Sequence, residues 1–159
     1  MKVRTLVNSD RAAWEPLWRG YLEFYEVEIP PEVTELTWRR FSDPNEPMWA
    51  HGAFAGEELI GMVHYIFHRT CWAEGLDCYL QDLFTSAEHR AGGVGRALIE
   101  SVYSAAQEAG SGRVHWLTHD TNARAMLLYD KLAARSGFVE YERRIVAKQE
   151  LEKRIAKTL

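Results

Sequence analysis

The sequence predicts an α+β fold, a mixed sheet with helices on both faces. Two observations carry this. Runs of β-formers alternate with segments whose apolar residues recur at helical spacing, in the order β-α-α-β-β-β-α-β-α-β. The 159 residues suit a single domain spanning 1–159, and the 47% hydrophobic content is enough for a full core.

Residues 2–7 alternate as a first strand, and Asn8-Ser9-Asp10 supplies N-cap chemistry for the helix that follows. In that helix Trp14, Leu17, Trp18, Tyr21, Leu22 and Tyr25 share a face, to about residue 26. Pro30-Pro31 interrupts the chain, and Pro31 suits the first turn of a second helix that runs to about Phe41. Residues 42–47 are a loop. Met48–Ala55 and Leu59–His68 read as a hairpin around Gly56-Glu57-Glu58, and Cys78–Thr85 as the next strand. A helix is expected from Gly93 to about Ala109, ended by Gly110-Ser111-Gly112. Arg113–Thr118 follows as a strand, Asn122–Arg135 as a helix and Phe138–Ile145 as a last strand. The tail from Ala147 to Leu159 is charged and weakly helical in pattern.

Bulk properties exclude several classes. A net charge of −4 gives no footprint for nucleic acid. No apolar run approaches a membrane span, so no membrane partner is expected. The first residues look like a strand rather than an export signal. Cys71 and Cys78 form no CxxC pair, so both are expected as reduced thiols in a cytoplasm. No Cys/His group has zinc spacing, and His51, His64 and His68 read as core or surface residues, so no metal is expected.

The most informative stretch is Arg90-Ala91-Gly92-Gly93-Val94-Gly95-Arg96, between a strand-like and a helix-like run. A Gly-rich turn opening a helix offers bare backbone N–H groups at the positive end of the helix dipole, a site for phosphate oxygens. A P-loop would end Gly-Lys-Ser/Thr, whereas this turn ends Gly95-Arg96-Ala97. A dinucleotide fingerprint would place a third Gly where Leu98 sits, although Asp120 lies at a loosely suitable distance for its acid. What remains is Arg90-x-x-Gly93-x-Gly95. It is followed by a second constellation, Asn122, Ala125, Tyr129, Gly137 and Phe138, in order along one helix and its exit.

Together the two motifs resemble the GNAT superfamily of acyl-CoA N-acyltransferases. The resemblance covers roughly residues 58 to 145, and the whole chain more loosely. Ala133-Ala134-Arg135 lengthens the interval before Gly137 beyond the shortest family versions. The resemblance implies a mostly antiparallel central sheet splayed between two parallel strands, at 78–85 and 113–118, with the pantetheine arm of acetyl-CoA in the gap. It implies that Arg90, Ala91, Gly92, Gly93, Val94, Gly95 and Arg96 hold the pyrophosphate, chiefly through backbone N–H groups. Backbone at Leu83, Phe84 and Thr85 would polarise the thioester carbonyl, as a small oxyanion hole. Asn122 and Ala125 would face the pantetheine arm, and Tyr129 would be the general acid for the departing thiolate. It implies direct attack by the amine, acetyl-CoA as donor with CoA as product, and a homodimer.

The acceptor side is less determined. An alkylammonium costs roughly 4–5 kcal/mol to deprotonate at pH 7, so a base or a water chain must assist. Gln81 and Asp82 are the candidates on the central strand. The polyamine-acetylating branch resembles Leu-Glu-Asp at Leu80-Gln81-Asp82; Gln cannot act as a base, though it can hold a water. Asp82 reads equally as a base or as a structural acceptor. His119 and Asp120 are further candidates, or a plain surface turn. Between Gly20 and Trp38 the charged residues are Glu23, Glu26, Glu28, Glu32 and Glu35. They read as a surface attracting a cationic amine or as a solvated face. Trp14, Trp18, Tyr21 and Tyr25 read as cation–π partners or as core. The expected reaction is acetyl transfer from acetyl-CoA to a small cationic primary amine, with a protein amine or a non-catalytic acyl-CoA sensor as alternatives.

Overall fold

The computed structural model describes residues 1–143 and 145. Its sheet has five strands in sequence order: β1 (Lys2–Thr5), β2 (Met48–Ala55), β3 (Glu58–Arg69), β4 (Leu76–Thr85) and β5 (Arg113–His115). The first four pair antiparallel, and β4 with β5 is parallel. Strand β3 is buried without alternation from Leu59 to Tyr65, so both faces of the sheet are covered. Helices α1 (Arg11–Phe24) and α2 (Pro31–Arg40) cover one face. There Trp14, Leu17, Trp18 and Trp38 pack on Ala50, Phe54, Leu59 and Met62. Helix α3 (Val94–Glu108) covers the other, where Val94, Leu98, Ile99, Val102 and Ala106 meet Val63, Tyr65, Cys78 and Leu80. Their spacing is one apolar stripe of a helix. Helix α3 ends where Ser111 N–H bonds Ala106 O (2.8 Å) and Gly110 N–H bonds Gln107 O (3.1 Å). A short helix α4 (Ala123–Tyr129) follows β5.

Two features position the site. The register of β3 against β4 shifts between His64 and Tyr65, because Asp82 pairs His64 while Leu80 pairs Tyr65. Gln81 is therefore the extra residue of a β-bulge, which bends β4. And β4 pairs β5 only from Asp77 to Tyr79. Beyond Tyr79 the two strands part, and β4 runs on to Thr85 paired with β3 but not with β5.

Three expected elements differ. The strand expected at Arg113–Thr118 ends at His115, because the diverging β4 offers no ladder to Trp116–Thr118. The helix expected at Asn122–Arg135 spans only Ala123–Tyr129 and passes into a turn. Arg135 there reaches back to Asp130 (Nη2 to Oδ2, 3.1 Å). The strand expected at Phe138–Ile145 does not form among its described residues, where Phe138, Val139 and Tyr141 are exposed. A strand needs a neighbour's backbone, and none of the five strands pairs with this segment. The charged, weakly helical tail from Ala147 lies outside the described residues.

Candidate active site

The strand-to-helix turn after β4 is built from two unusual backbone positions. Ala91 has φ +72° and Gly93, the N-cap of α3, has φ +79°. Positive φ is costly for side-chain-bearing residues, which explains a glycine at the cap itself. No side chain caps α3, so its first N–H groups are left to a ligand or to solvent. Gly61 on β3 lets the helix start lie close: a Cβ there would come within 2.8 Å of Val94 Cγ1 and 3.1 Å of Phe84 O.

In front of this turn lies a cleft of about 620 Å³, within the range of ligand pockets. Its walls are the diverging end of β4, the turn, helix α4 and the end of α1. Leu83, Phe84, Thr85, Arg90, Ala91, Gly93, Val94, Gly95, Arg96, Asn122, Ala125 and Tyr129 all line it. The Gly-rich turn and Asn122, Ala125 and Tyr129 of the second constellation therefore converge on one cavity, whereas Gly137 and the exposed Phe138 do not line it. Gly92 belongs to the turn but does not line the cleft, and neither do Gln81 and Asp82. The lining also contains Arg124 and Lys131, which sequence reasoning did not single out. With Arg90 and Arg96 they make, among the described residues, four Arg and Lys cations and no carboxylate, in a chain of net charge −4. The Arg90 side chain is fixed over the Phe84 ring (5.7 Å) and donates to Thr85 O (3.3 Å).

Tyr129 packs edge-on against Trp116, with ring centroids 5.4 Å apart. Burial, with a smaller contribution from Tyr25, pushes its hydroxyl up to about 12. It is thus a proton donor throughout the neutral range. Tyr25 lines the same cleft, and burial followed by the charge of Asp82 raises its hydroxyl.

Behind Tyr25 lies a buried polar chain. Asp82, 7% exposed, accepts from His64 Nδ1 at 2.9 Å, and Trp14 Nε1–H donates to His64 Nε2 at 2.9 Å. An indole N–H can only donate, so His64 Nε2 presents its lone pair and Nδ1 carries the hydrogen given to Asp82. Tyr21 stands beside the same carboxylate. Its hydroxyl is raised first by burial, then by the Asp82 charge and its hydrogen bond to Asp82. Tyr79 also feels the charge of this carboxylate, so three tyrosines surround it. Gln81, exposed at the bulge, adjoins it. The His64 role was missed because only the strand register sets it opposite Asp82.

The remaining candidates separate. His119 and Asp120 pair with each other on an exposed turn (3.1 Å). Glu23, Glu26, Glu28, Glu32 and Glu35 are exposed, and Glu35 binds Arg11 (2.9 Å), so this is a solvated face. Trp14 and Trp18 are core, stacked at 5.7 Å.

Comparison with known proteins agrees with this geometry. The profile of the acetyltransferase (GNAT) family matches residues 13–134. The D-amino-acid N-acetyltransferase of Saccharomyces cerevisiae is 41% identical over 143 residues, covering 89% of each chain. The thialysine N-epsilon-acetyltransferase of Bos taurus is 32% identical, over 58% of this chain and 50% of its own. The L-ornithine N5-acetyltransferase of Arabidopsis thaliana is 25% identical, over 77% of this chain and 49% of its own. Among solved structures, a probable acetyltransferase superposes with a TM-score of 0.81 at 22% identity, covering 93% of this chain and 100% of its own.

Proposed function

The chain belongs to the acetyltransferase (GNAT) family and is an N-acetyltransferase acting on an amine, and from that premise we propose that it moves an acetyl group from acetyl-CoA to the primary amine of a small amino-acid-like acceptor. The observation that carries the reading is the cleft itself. Four cations and the turn with its bare N–H groups line it, and so does Tyr25, whose hydroxyl feels the charge of Asp82. The cations and N–H groups suit the phosphates of CoA. The tyrosine with the carboxylate beyond it suits an ammonium group.

In this reading the turn from Arg90 to Arg96 holds the pyrophosphate, with Arg124 and Lys131 adding charge. The end of β4 at Leu83, Phe84 and Thr85, paired with β3 but beyond its pairing with β5, offers backbone N–H to the thioester oxygen as the tetrahedral intermediate forms. Asn122 and Ala125 flank the pantetheine arm. The amine nitrogen attacks the carbonyl carbon, the C–N bond forms and the C–S bond breaks. The proton leaving the amine goes to Asp82, directly or through a water held by Gln81. Tyr129 gives its proton to the CoA thiolate. Attack is direct, with no acetyl-enzyme. Members of the family use acetyl-CoA as co-substrate, and no step assigned here needs a metal.

The relatives' own substrates, D-amino acids, thialysine and ornithine, favour free amino acids over polyamines as first choice. We extend the proposal to a homodimer. The apolar Phe138, Val139 and Tyr141 lie exposed, and among the described residues no strand pairs with the outer edge of β5. The test of the acceptor class is thiol release from acetyl-CoA with D- and L-amino acids, thialysine, ornithine, spermidine, an aminoglycoside and a histone-tail peptide. Turnover confined to free amino acids supports the reading. Turnover on the peptide alone would replace it with a protein-modifying activity.

A further inference from the structure

The end of the sheet farthest from the Gly-rich turn carries a second polar cluster. His68 is the last residue but one of β3, Asp77 the second of β4, and His115 ends β5. Register assembles them: His68 lies directly opposite Asp77, and Asp77 pairs Arg113, two residues before His115. Thr85, where β4 meets the acetyl-transfer cleft, is eight residues beyond Asp77, about 27 Å of strand.

The side chains are arranged as ligands. His68 Nδ1 lies 2.9 Å from Arg69 O, and a carbonyl can only accept. The hydrogen of His68 is therefore on Nδ1, and its Nε2 presents a lone pair. A backbone carbonyl that fixes the tautomer in this way is the usual support of a metal-binding imidazole. That Nε2 faces His115 Nε2 at 3.2 Å. Two imidazoles bound to one tetrahedral ion at about 2.0–2.1 Å would place their nitrogens about 3.3 Å apart. The two rings thus already stand at the spacing of a shared ion. A carboxylate oxygen of buried Asp77 completes the group, with all ligand atoms within 4.8 Å of one another. Arg113 donates Nε (3.1 Å) and Nη2 (2.5 Å) to Asp77 Oδ2 only, so the carboxylate is oriented while its second oxygen is left over. The His115 ring is stacked on Tyr79, centroids 5.2 Å apart.

We propose that His68, His115 and Asp77 form a binding site for a late first-row divalent metal ion of the zinc class, separate from the acetyl-transfer cleft. Imidazole nitrogens select such ions over magnesium or calcium. In the free protein the His115 Nε2–H points to His68 Nε2. On binding, that hydrogen moves to His115 Nδ1 and both Nε2 lone pairs meet the ion. Asp77 supplies the third ligand, directly or through a water, and solvent fills the rest. No spacing along the chain announces this site, because its residues lie on three strands.

The test is calorimetric titration of the untagged full chain with Zn2+, beside His68→Gln, His115→Gln, His119→Gln and Cys71→Ser. Cys71 is exposed two residues beyond Arg69, and His119 is an exposed histidine outside the cluster. The expected result is saturation at one ion per chain. Affinity falls at least about tenfold in each of the first two variants and is unchanged in the last two. Co2+ in place of Zn2+ should give the intense visible absorption of a tetrahedral ion, lost in His68→Gln. Absence of saturable binding, binding that survives both cluster variants, or loss in Cys71→Ser or His119→Gln would overturn the proposal.

Discussion

At the scale of single residues, the hydrogen-bonded chain Trp14–His64–Asp82 decides what the carboxylate can do. The indole fixes the imidazole tautomer, and the imidazole directs its N–H at Asp82. Replacing His64 by Phe leaves the Trp14 N–H without its acceptor and removes the imidazole N–H from Asp82. The expected cost is about 1–3 kcal/mol of stability, read as a lower denaturant midpoint. His64→Gln, which keeps a donor, should recover part of it. Tyr129 yields a pH prediction. Its hydroxyl is raised to about 12, so the proton-donating form persists well above pH 10. A raised value keeps an acid protonated as pH rises, and Tyr129 cannot create an alkaline fall in kcat below that range. Tyr129→Phe should therefore lower kcat across pH 7–10 without moving the shape of the profile. A profile whose alkaline limb vanishes in the variant would contradict this. Tyr129 was legible in the sequence because its neighbours Asn122 and Ala125 sit on the same short helix. His64 was not, since its partners are 50 and 18 residues away.

At the scale of elements, the turn before α3 and the gap between β4 and β5 form the cleft together. Gly93 at φ +79° is the turn's most constrained point. Open space surrounds a Cβ placed there, so Gly93→Ala meets no clash and tests the backbone alone. Such a change should cost about 1 kcal/mol of stability and raise the KM for acetyl-CoA with kcat little changed. An unchanged KM would mean that the turn does not bind the donor. The helices and the antiparallel strands were readable because their apolar periods are long and regular. The β5–α4–terminal region was not. Phe138–Ile145 has a strand's composition, yet composition does not supply a pairing edge, and β5 stops at His115. The bulge at Gln81 was equally hidden, since it exists only in the register of β3 against β4.

At the scale of the molecule, charge separates from the average. The chain is acidic overall, while the donor cleft carries Arg90, Arg96, Arg124 and Lys131. Steering of a polyanionic donor into such a cleft is screened by salt, so kcat/KM for acetyl-CoA should fall as ionic strength rises. The slope should shrink in Arg124→Ala combined with Lys131→Ala. The sequence motifs led to the two walls of this cleft, but not to these two cations, which become partners of the Gly-rich turn only once α4 folds across it. The central claim is that this cleft carries out acetyl transfer with Tyr129 and Asp82 as acid and base. It is tested most directly by the rate of CoA thiol release with a free amino acid at saturation, in the wild type, Tyr129→Phe and Asp82→Asn. The account predicts a loss of about a hundredfold or more in kcat for each variant, with acetyl-CoA affinity within a few-fold of wild type. Wild-type turnover in both variants would contradict it.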